Sequence, residues 1–296
     1  MAQRHGNLFA TIASRDNLQA AYIKSRKGKR HMRNVIAFER VQHALMLVVE
    51  PLWDKLMIFD SYACRAGKGQ HAGSWRTMEF VRRYKYCLKC DISKFYPSID
   101  QDVLAGIVRQ KIKCRRTLAL IDDIIYSFPG GKNVPIGNYT SQWFGNLYLH
   151  ELDRLVKHQY KVGPYLRYCD DFCLFDDDKK RLQELKAAIG EFLAERLKLT
   201  YSYAEVFPTS HGVDFLGYRH FPKGYILLRK STAQRVKRRL RLLPRLLAAG
   251  KISADQYRAS LASTRGWLKW ANTYHLQLST RLHELEHHEA LCGFQH

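Results

Sequence analysis

The stretch Tyr168-Cys169-Asp170-Asp171-Phe172-Cys173-Leu174-Phe175 decides how the rest of this chain is read. Tyr165 to Phe175 has the aromatic and apolar content of a strand, yet two adjacent carboxylates sit in its centre. Aspartate is a poor strand residue, so the pair needs a reason. A tight hairpin turn is one, because Asp tolerates turn geometry. Divalent-metal binding is the other: hard cations such as Mg²⁺ take carboxylate oxygens and leave room for substrate phosphates. A two-metal site needs carboxylates that bridge ions about 3.5–4 Å apart, and one turn supplies only one side of it. Asp91 is the candidate for the other side. It lies near the end of Tyr84 to Ile92, whose alternating polar and apolar residues read as a strand.

Outward from these acids, strand and helix patterns alternate. Val103, Leu104, Ile107 and Val108 recur at helical spacing after Asp100, a candidate N-cap. Phe144 to Val156 predicts a second helix. Leu182, Leu185, Ile189, Phe192, Leu193 and Leu197 form the apolar stripe of a third. Asp176-Asp-Asp178 reads as a solvated loop or as that helix's N-terminus, where negative charge is favoured. Val213 to Tyr218 and Tyr225 to Leu228 predict short strands. Beyond Ser231 the chain turns helical and basic, with an interruption expected at Pro244. A further helix starts near Ser253-Ala-Asp-Gln256, a capping-box pattern. Mixed strands and helices followed by an all-helical tail indicate an α+β fold.

The surroundings of the acids are basic. The chain has 296 residues, with 49 Lys plus Arg against 27 Asp plus Glu, a formal net charge of +22. Six basic residues and no acid fall between Lys24 and Arg33. From Lys223 to His296, 14 Lys or Arg face four acids, a net of 14 − 4 = +10. With 46% hydrophobic and 12% aromatic residues, this is no disordered basic tail. The excess favours a polyanionic partner, either nucleic acid or an anionic membrane surface. The longest apolar stretch, Ala44 to Val49, is far short of a bilayer span, and no apolar segment follows Met1 to Gly6. Seven scattered cysteines, an odd number, read as reduced thiols. The expectation is a cytoplasmic protein with no membrane partner. Cys87-Leu-Lys-Cys90 has the spacing of half a zinc site, but no second pair completes it, so packing is expected.

Tyr168-Cys169-Asp170-Asp171 resembles the YxDD box of reverse transcriptases, and Asp91-Ile-Ser-Lys-Phe-Tyr-Pro-Ser-Ile99 resembles the first catalytic-aspartate motif of the same enzymes. Order and separation agree, since 171 − 91 = 80. Between them lies Val134-Pro-Ile-Gly-Asn-Tyr-Thr-Ser-Gln142, where most reverse transcriptases are expected to carry Pro-Gln-Gly. Ile-Gly followed by Ser-Gln is similar to the reverse transcriptases of diversity-generating retroelements. So are Ser61 to Gly73, Val213-Asp-Phe-Leu-Gly-Tyr218, Leu227-Leu-Arg-Lys-Ser231, Arg4 to Leu8 and Gly28-Lys-Arg30.

The resemblance implies an RNA-directed DNA polymerase, bacterial or phage-encoded, with the right-hand architecture: reduced fingers, a ferredoxin-like antiparallel palm and a helical thumb. Residues 1–60 would form a basic arm and reduced fingers, 61–222 fingers and palm, and 223–296 the basic thumb. Asp91, Asp170 and Asp171 would bind two Mg²⁺ ions, with Mn²⁺ as a substitute and the Ile92 carbonyl as a further ligand. Tyr96 would be a steric gate favouring dNTPs over rNTPs, with core packing as its plain alternative. Ile136 stands where an amide usually sits. Ile cannot hydrogen-bond near the nascent base pair, which fits error-prone copying of template adenines. Gly137 permits close backbone approach, and Ser141 and Gln142 would start a helix under the nucleotide. Gly67-Lys68-Gly69 lacks Walker spacing. Arg65, Lys68 and His71 would instead touch template backbone or nucleotide phosphate, unless the loop is merely solvated.

Phe215, Leu216, Gly217 and Tyr218 correspond to a primer grip. Arg229, Lys230, Arg235 and Arg238 would meet the phosphates of an RNA–DNA duplex, with Leu240, Leu242 and Leu243 buried beneath. Trp267 and Trp270 are expected in the thumb core, and His283, His287 and His288 at a polar helix end. The family also implies a template RNA and a basic, oligomeric accessory variability protein as partners. Two departures stand out. No Lys/Arg-rich fingers segment separates Phe38-Glu-Arg40 from Val41 to Leu45, and Tyr201 to Val206 lacks the Lys that many reverse transcriptases place there. A retron or phage-defence reverse transcriptase, or a catalytically weak RNA-binding scaffold, are the alternatives these departures leave.

Overall fold

The structure is a computed structural model that describes residues 4–25, 33–134 and 138–285, with side chains described outside 33–38. Most of the Lys24 to Arg33 arm, Ile136, Gly137, His287 and His288 lie outside the described residues. In chain order come α1 (Leu8–Ile12), α2 (Arg15–Ser25), α3 (Arg33–Asp54), α4 (Gln70–Arg83), β1 (Tyr86–Ile92), α5 (Phe95–Ser98), α6 (Gln101–Arg109), α7 (Arg115–Ile125) and α8 (Tyr139–Arg154). A π-turn over Leu155–Gln159 leads to β2 (Tyr165–Tyr168), β3 (Asp171–Asp176), α9 (Lys179–Leu197) and β4 (Tyr201–Pro208). Then follow β5 (Val213–Phe215), β6 (Tyr218–His220), β7 (Ile226–Leu228), α10 (Lys230–Ala248), α11 (Ala254–Leu268) and α12 (Tyr274–Ser279).

Two compact units emerge. The first comprises Met1–Gly73 with Tyr86–Phe207, the second Ser74–Lys85 with Pro208–His296. In the first, four strands form a sheet in the order β2-β3-β1-β4, with β3 antiparallel to both β2 and β1. Two strand–helix–strand halves, β1 to β2 through α5–α8 and β3 to β4 through α9, interleave to give that order, as in a ferredoxin-like split βαβ unit. Alternation along the strands sends Leu88, Cys90, Ile92, Phe172 and Leu174 into one buried core with α6, α8 and α9. Residues 140–153 of α8 are buried almost all round, as expected of a helix at the centre of a unit. On α3, Leu45, Met46, Val49 and Trp53 join the same core, and Trp53 meets Phe144 of α8 at 6.0 Å. Where the resemblance would place a fingers hairpin, residues 33–54 form one uninterrupted helix.

Caps read from the sequence are present. Asp100 accepts from the Val103 amide at 3.0 Å and starts α6. Asp178 accepts from the Lys180 amide at 2.8 Å and starts α9. Ser253 and Gln256 complete a reciprocal capping box on α11. Cys87 and Cys90 are buried in β1.

In the second unit, β5-β6-β7 make an antiparallel sheet, and α10, α11 and the segment to Leu282 enclose a small core of Leu240, Leu243, Tyr257, Leu261, Leu268 and Leu282. Four expectations change here. The run Val213 to Tyr218 is not one strand but the whole of β5, a turn and the start of β6, because Leu216 and Gly217 both take positive φ. α10 runs through Pro244 without a break. Proline removes one helical hydrogen bond, and the flanking contacts of Leu240 and Leu243 with α11 compensate. Leu242 is exposed rather than buried, and Trp267 and Trp270 are each more than a third exposed. Trp267 stacks at 5.5 Å on Tyr218 of β6 instead of entering the helical core. Among the described residues, no helix is long and apolar enough to cross a membrane.

Candidate active site

The two acids at Asp170 and Asp171 sit where a strand ends, not in its middle. Tyr168 pairs with Asp171 across β2 and β3, so Cys169 and Asp170 form a two-residue hairpin turn. Cys169 takes φ 56°, the left-handed backbone such tight turns require. The expected single strand over Tyr165 to Phe175 is thus a hairpin, so the turn reading accounts for the pair of acids. Asp170 lies at the tip, and Asp171 is the first residue of β3.

The register brings Asp91 alongside. Cys90 pairs with Phe172, and 90 + 172 = 91 + 171, so the next rung sets Asp91 opposite Asp171. Both side chains leave the face that carries Lys89 and Cys173, opposite the Leu88, Cys90 and Phe172 core. All three carboxylates are half-buried, hence reachable. Ser202 of β4 donates its hydroxyl to Asp91 Oδ2. Lys89 Nζ lies 3.6 Å from Asp171 Oδ2. Burial raises the Asp170 carboxyl above the usual range, and the negative charge of Asp91 adds to that rise. Two acids that repel at close range are what a divalent cation relieves. The donors are hard carboxylate oxygens with the Ile92 carbonyl beside them, which suits Mg²⁺ or Mn²⁺. Among the described residues, no His, Cys, Asp or Glu side chains are grouped in threes about a single ion position. The fit lies in the donor chemistry and in the approach of Asp91 to Asp170.

Beneath the turn lies a buried network that the sequence reading missed. Arg167, fully buried in β2, grips Asp153 of α8 with Nε at 2.8 Å and Nη2 at 2.6 Å. Its Nη1 donates to the Cys169 carbonyl at 3.0 Å and to Asn146 Oδ1 at 3.3 Å. Tyr165 donates its hydroxyl to the same Asp153 at 2.7 Å. Alternation puts Tyr165 and Arg167 on one face of β2, so both converge on α8. The hairpin tip is therefore braced from below by a charge-assisted fork. The available signal was an Arg inside the apolar run Tyr165-Leu-Arg-Tyr168 and an Asp among Leu152, Leu155 and Val156.

Tyr96 stands on α5, with its hydroxyl 3.3 Å from Cys169 Sγ and its ring 5.1 Å from that of Phe95. Burial pushes its phenol well up, and the Cys169 thiol is pushed up to about 11 by burial. Both groups are neutral at ordinary pH. Gln142 is exposed in the first turn of α8, which begins at Tyr139. Nearby, Tyr139 donates to Glu50, and its ring lies 4.9 Å from that of His43, tilted by 31°. Arg65 is turned inward, its Nε 2.6 Å from Asp54 and its Nη1 on the Ile58 and Ser61 carbonyls. Lys68 lies over the ring of the exposed Phe59, 3.4 Å from its centroid.

In the second unit, Phe215 pairs with Tyr218, leaving Leu216 and Gly217 as a two-residue turn with φ 57° and 82°. A leucine with positive φ is strained, and the turn is held by Arg229, whose amide donates to Gly217 O at 3.1 Å and whose Nε meets Asp214 at 2.7 Å. Lys230, Arg235 and Arg238 are exposed along α10. Sequence-independent phosphate contacts need such a row of cations.

Comparison with known proteins agrees with this geometry. The chain is 27% identical over 143 residues to the uncharacterized 91 kDa protein in cob intron of Schizosaccharomyces pombe, covering 43% of this chain and 17% of that one. It is 22% identical over 227 residues to protein YkfC of Escherichia coli, covering 60% of this chain and 59% of YkfC. It thus spans less than two-thirds of either relative. A structure of Candida tropicalis telomerase in complex with a TWJ fragment of telomeric RNA shares the fold at a TM-score of 0.51 and 11% identity, over 85% of this chain and 50% of that one. The α+β right-hand polymerase architecture is therefore the fold of this molecule. Residues 24–220 match the family described as reverse transcriptase (RNA-dependent DNA polymerase), and with more than half of its length inside that match, the chain belongs to the reverse transcriptase family.

Proposed function

We propose that this protein is an RNA-directed DNA polymerase that makes error-prone cDNA from a template-repeat RNA in a diversity-generating retroelement. The observation that carries the polymerase reading is the tight β2–β3 turn, which places Asp170 and Asp171 beside Asp91 at one end of the sheet. Asp91, Asp170 and Asp171, with the Ile92 carbonyl, would hold a pair of Mg²⁺ ions. Bound there, the ions would supply activation of a primer 3′-hydroxyl and neutralisation of the triphosphate charge. Ser202 and Lys89 orient two of the three carboxylates, and the Arg167–Asp153 fork fixes the height of the turn. Tyr96 blocks a ribose 2′-hydroxyl. The exposed cations of α10 track the backbone of an RNA–DNA duplex. The retroelement assignment rests on Ile136, Gly137, Ser141 and Gln142, and it brings with it the basic accessory variability protein as the carrier of template RNA.

Primer extension on an RNA template with dNTPs and Mg²⁺ is the test, with cognate RNA and accessory protein supplied. Extension that disappears in Asp91→Ala, Asp170→Ala and Asp171→Ala supports the reading. Extension that survives the aspartate changes refutes the site. A folded chain that binds RNA without extending a primer would be a scaffold. Sequencing the cDNA separates the subtype: errors concentrated opposite template adenines support the retroelement assignment, and an even error spectrum refutes it.

A further inference from the structure

The ring of Tyr96 is held on three sides by groups with no assigned role. Phe95 lies against it at 5.1 Å, tilted by 51°. Its hydroxyl is 3.3 Å from Cys169 Sγ, in the same turn that carries Asp170. The third side is Gly145 in the middle of α8. A Cβ there would stand 3.1 Å from Tyr96 Cε1 and 3.0 Å from Phe95 Cε1, inside ordinary van der Waals separation. Gly145 has no positive φ, so no backbone need explains it. A glycine inside a helix is destabilising relative to alanine, and the space its missing methyl leaves is filled by the two aromatic edges.

We propose that Gly145 and Cys169 are positioning residues for Tyr96, and that together they set how strictly the site separates deoxyribonucleoside from ribonucleoside triphosphates. This rests on the reading of Tyr96 as the residue that meets the sugar. Steric exclusion of one hydroxyl depends on ring placement to a few tenths of an ångström, because repulsion rises steeply below contact distance. Cys169 tethers the ring through its hydroxyl, and Gly145 lets it settle against α8. Removing the tether lets the ring yield to a 2′-hydroxyl. Adding a methyl at 145 presses the ring away from α8 and, on that reading, toward the sugar.

The experiment is single-nucleotide extension on an RNA template, measuring kcat/KM for dCTP and for CTP in each variant. Their ratio is internal to each preparation, so loss of folded enzyme cancels. Cys169→Ala should lower the dCTP/CTP ratio by about threefold to tenfold, the worth of one modest hydrogen bond, and Cys169→Ser should restore it. Gly145→Ala should raise the ratio by a similar factor. Tyr96→Ala should lower it most. If Tyr96→Ala leaves the ratio unchanged, the sugar-gate reading itself is wrong. If Tyr96→Ala collapses the ratio while Cys169→Ala and Gly145→Ala do not move it, the gate stands and this inference is overturned. A Cys169→Ser ratio equal to that of Cys169→Ala would overturn the tether.

Discussion

Replacing Arg167 by methionine tests the brace under the Cys169–Asp170 turn. Arg167 and Asp153 are both completely buried, and the guanidinium makes two short bonds to one carboxylate, at 2.8 and 2.6 Å. Methionine matches much of the side-chain length but donates nothing. Asp153 then keeps the Tyr165 hydroxyl at 2.7 Å, and Asn146 Oδ1 and the Cys169 carbonyl each lose a donor. Breaking a buried pair by removing one partner costs about 3–5 kcal/mol, because an uncompensated charge stays in the interior. Removing both partners, as in Arg167→Met with Asp153→Leu, should cost clearly less than the sum of the two single changes, with a coupling of about 2 kcal/mol or more. The assay is urea-dependent hydrogen exchange read on peptides covering residues 165–176, which isolates the hairpin from the second unit. A single-variant loss below about 1 kcal/mol, or additivity in the double variant, would refute the brace. Arg167→Lys should not rescue it, since an ammonium cannot fork to Asp153 while also reaching the Cys169 carbonyl.

Three further outcomes are expected, two from named geometry and one from the sequence alone. His150 in the first unit and His220 in the second are buried, and burial holds each imidazole down at about 4. Each stays neutral when folded but protonates near 6.5 when unfolded, so stability is full above that pH and is lost as pH falls toward 4. The loss is about 3 kcal/mol per histidine, and thermal melts from pH 7 to 4.5 should show it, with a smaller slope in His220→Asn. Gly212 has φ 84°, and an added Cβ would meet the Phe221 ring at 2.7 Å and Arg219 Nε at 2.8 Å. Gly212→Ala should therefore destabilise the second unit by about 2 kcal/mol or more in the same melts. On the proposed retroelement function, which puts Ile136 where most reverse transcriptases carry an amide, Ile136→Gln should lower errors opposite template adenine, and an unchanged adenine error rate in sequenced cDNA would refute that role.

Much of the architecture was legible because it is written locally. The Asp100 cap and the Ser253 capping box each act within a turn of helix, the apolar stripe from Leu182 to Leu197 acts along a single helix, and each formed as read. The misreadings fell where distant packing overrides local preference. Pro244 did not break α10, because Leu240 and Leu243 are anchored on α11. Trp267 left the helical core to stack on Tyr218, 49 residues earlier in the chain. Positive φ at Cys169, Leu216 and Gly217 turned two apparent strands into hairpins, and only one of those three residues is the glycine that would have announced it.

The sequence by itself determined the family and its candidate site: three aspartates in a recognisable order, the motif around Asp91, the box around Asp170, and a basic excess at both ends of the chain. Side-chain identity and short-range spacing are properties of the linear chain, so a linear reading recovers them. Only the tertiary structure decided that Asp91 lies across from Asp171, that Arg167 and Asp153 brace the turn, and that Gly145 and Cys169 hold Tyr96. These pairs are separated by 14 to 80 positions along the chain. Strand register and helix burial bring them together, and both are set by the collective packing of one core rather than by any segment's own preference.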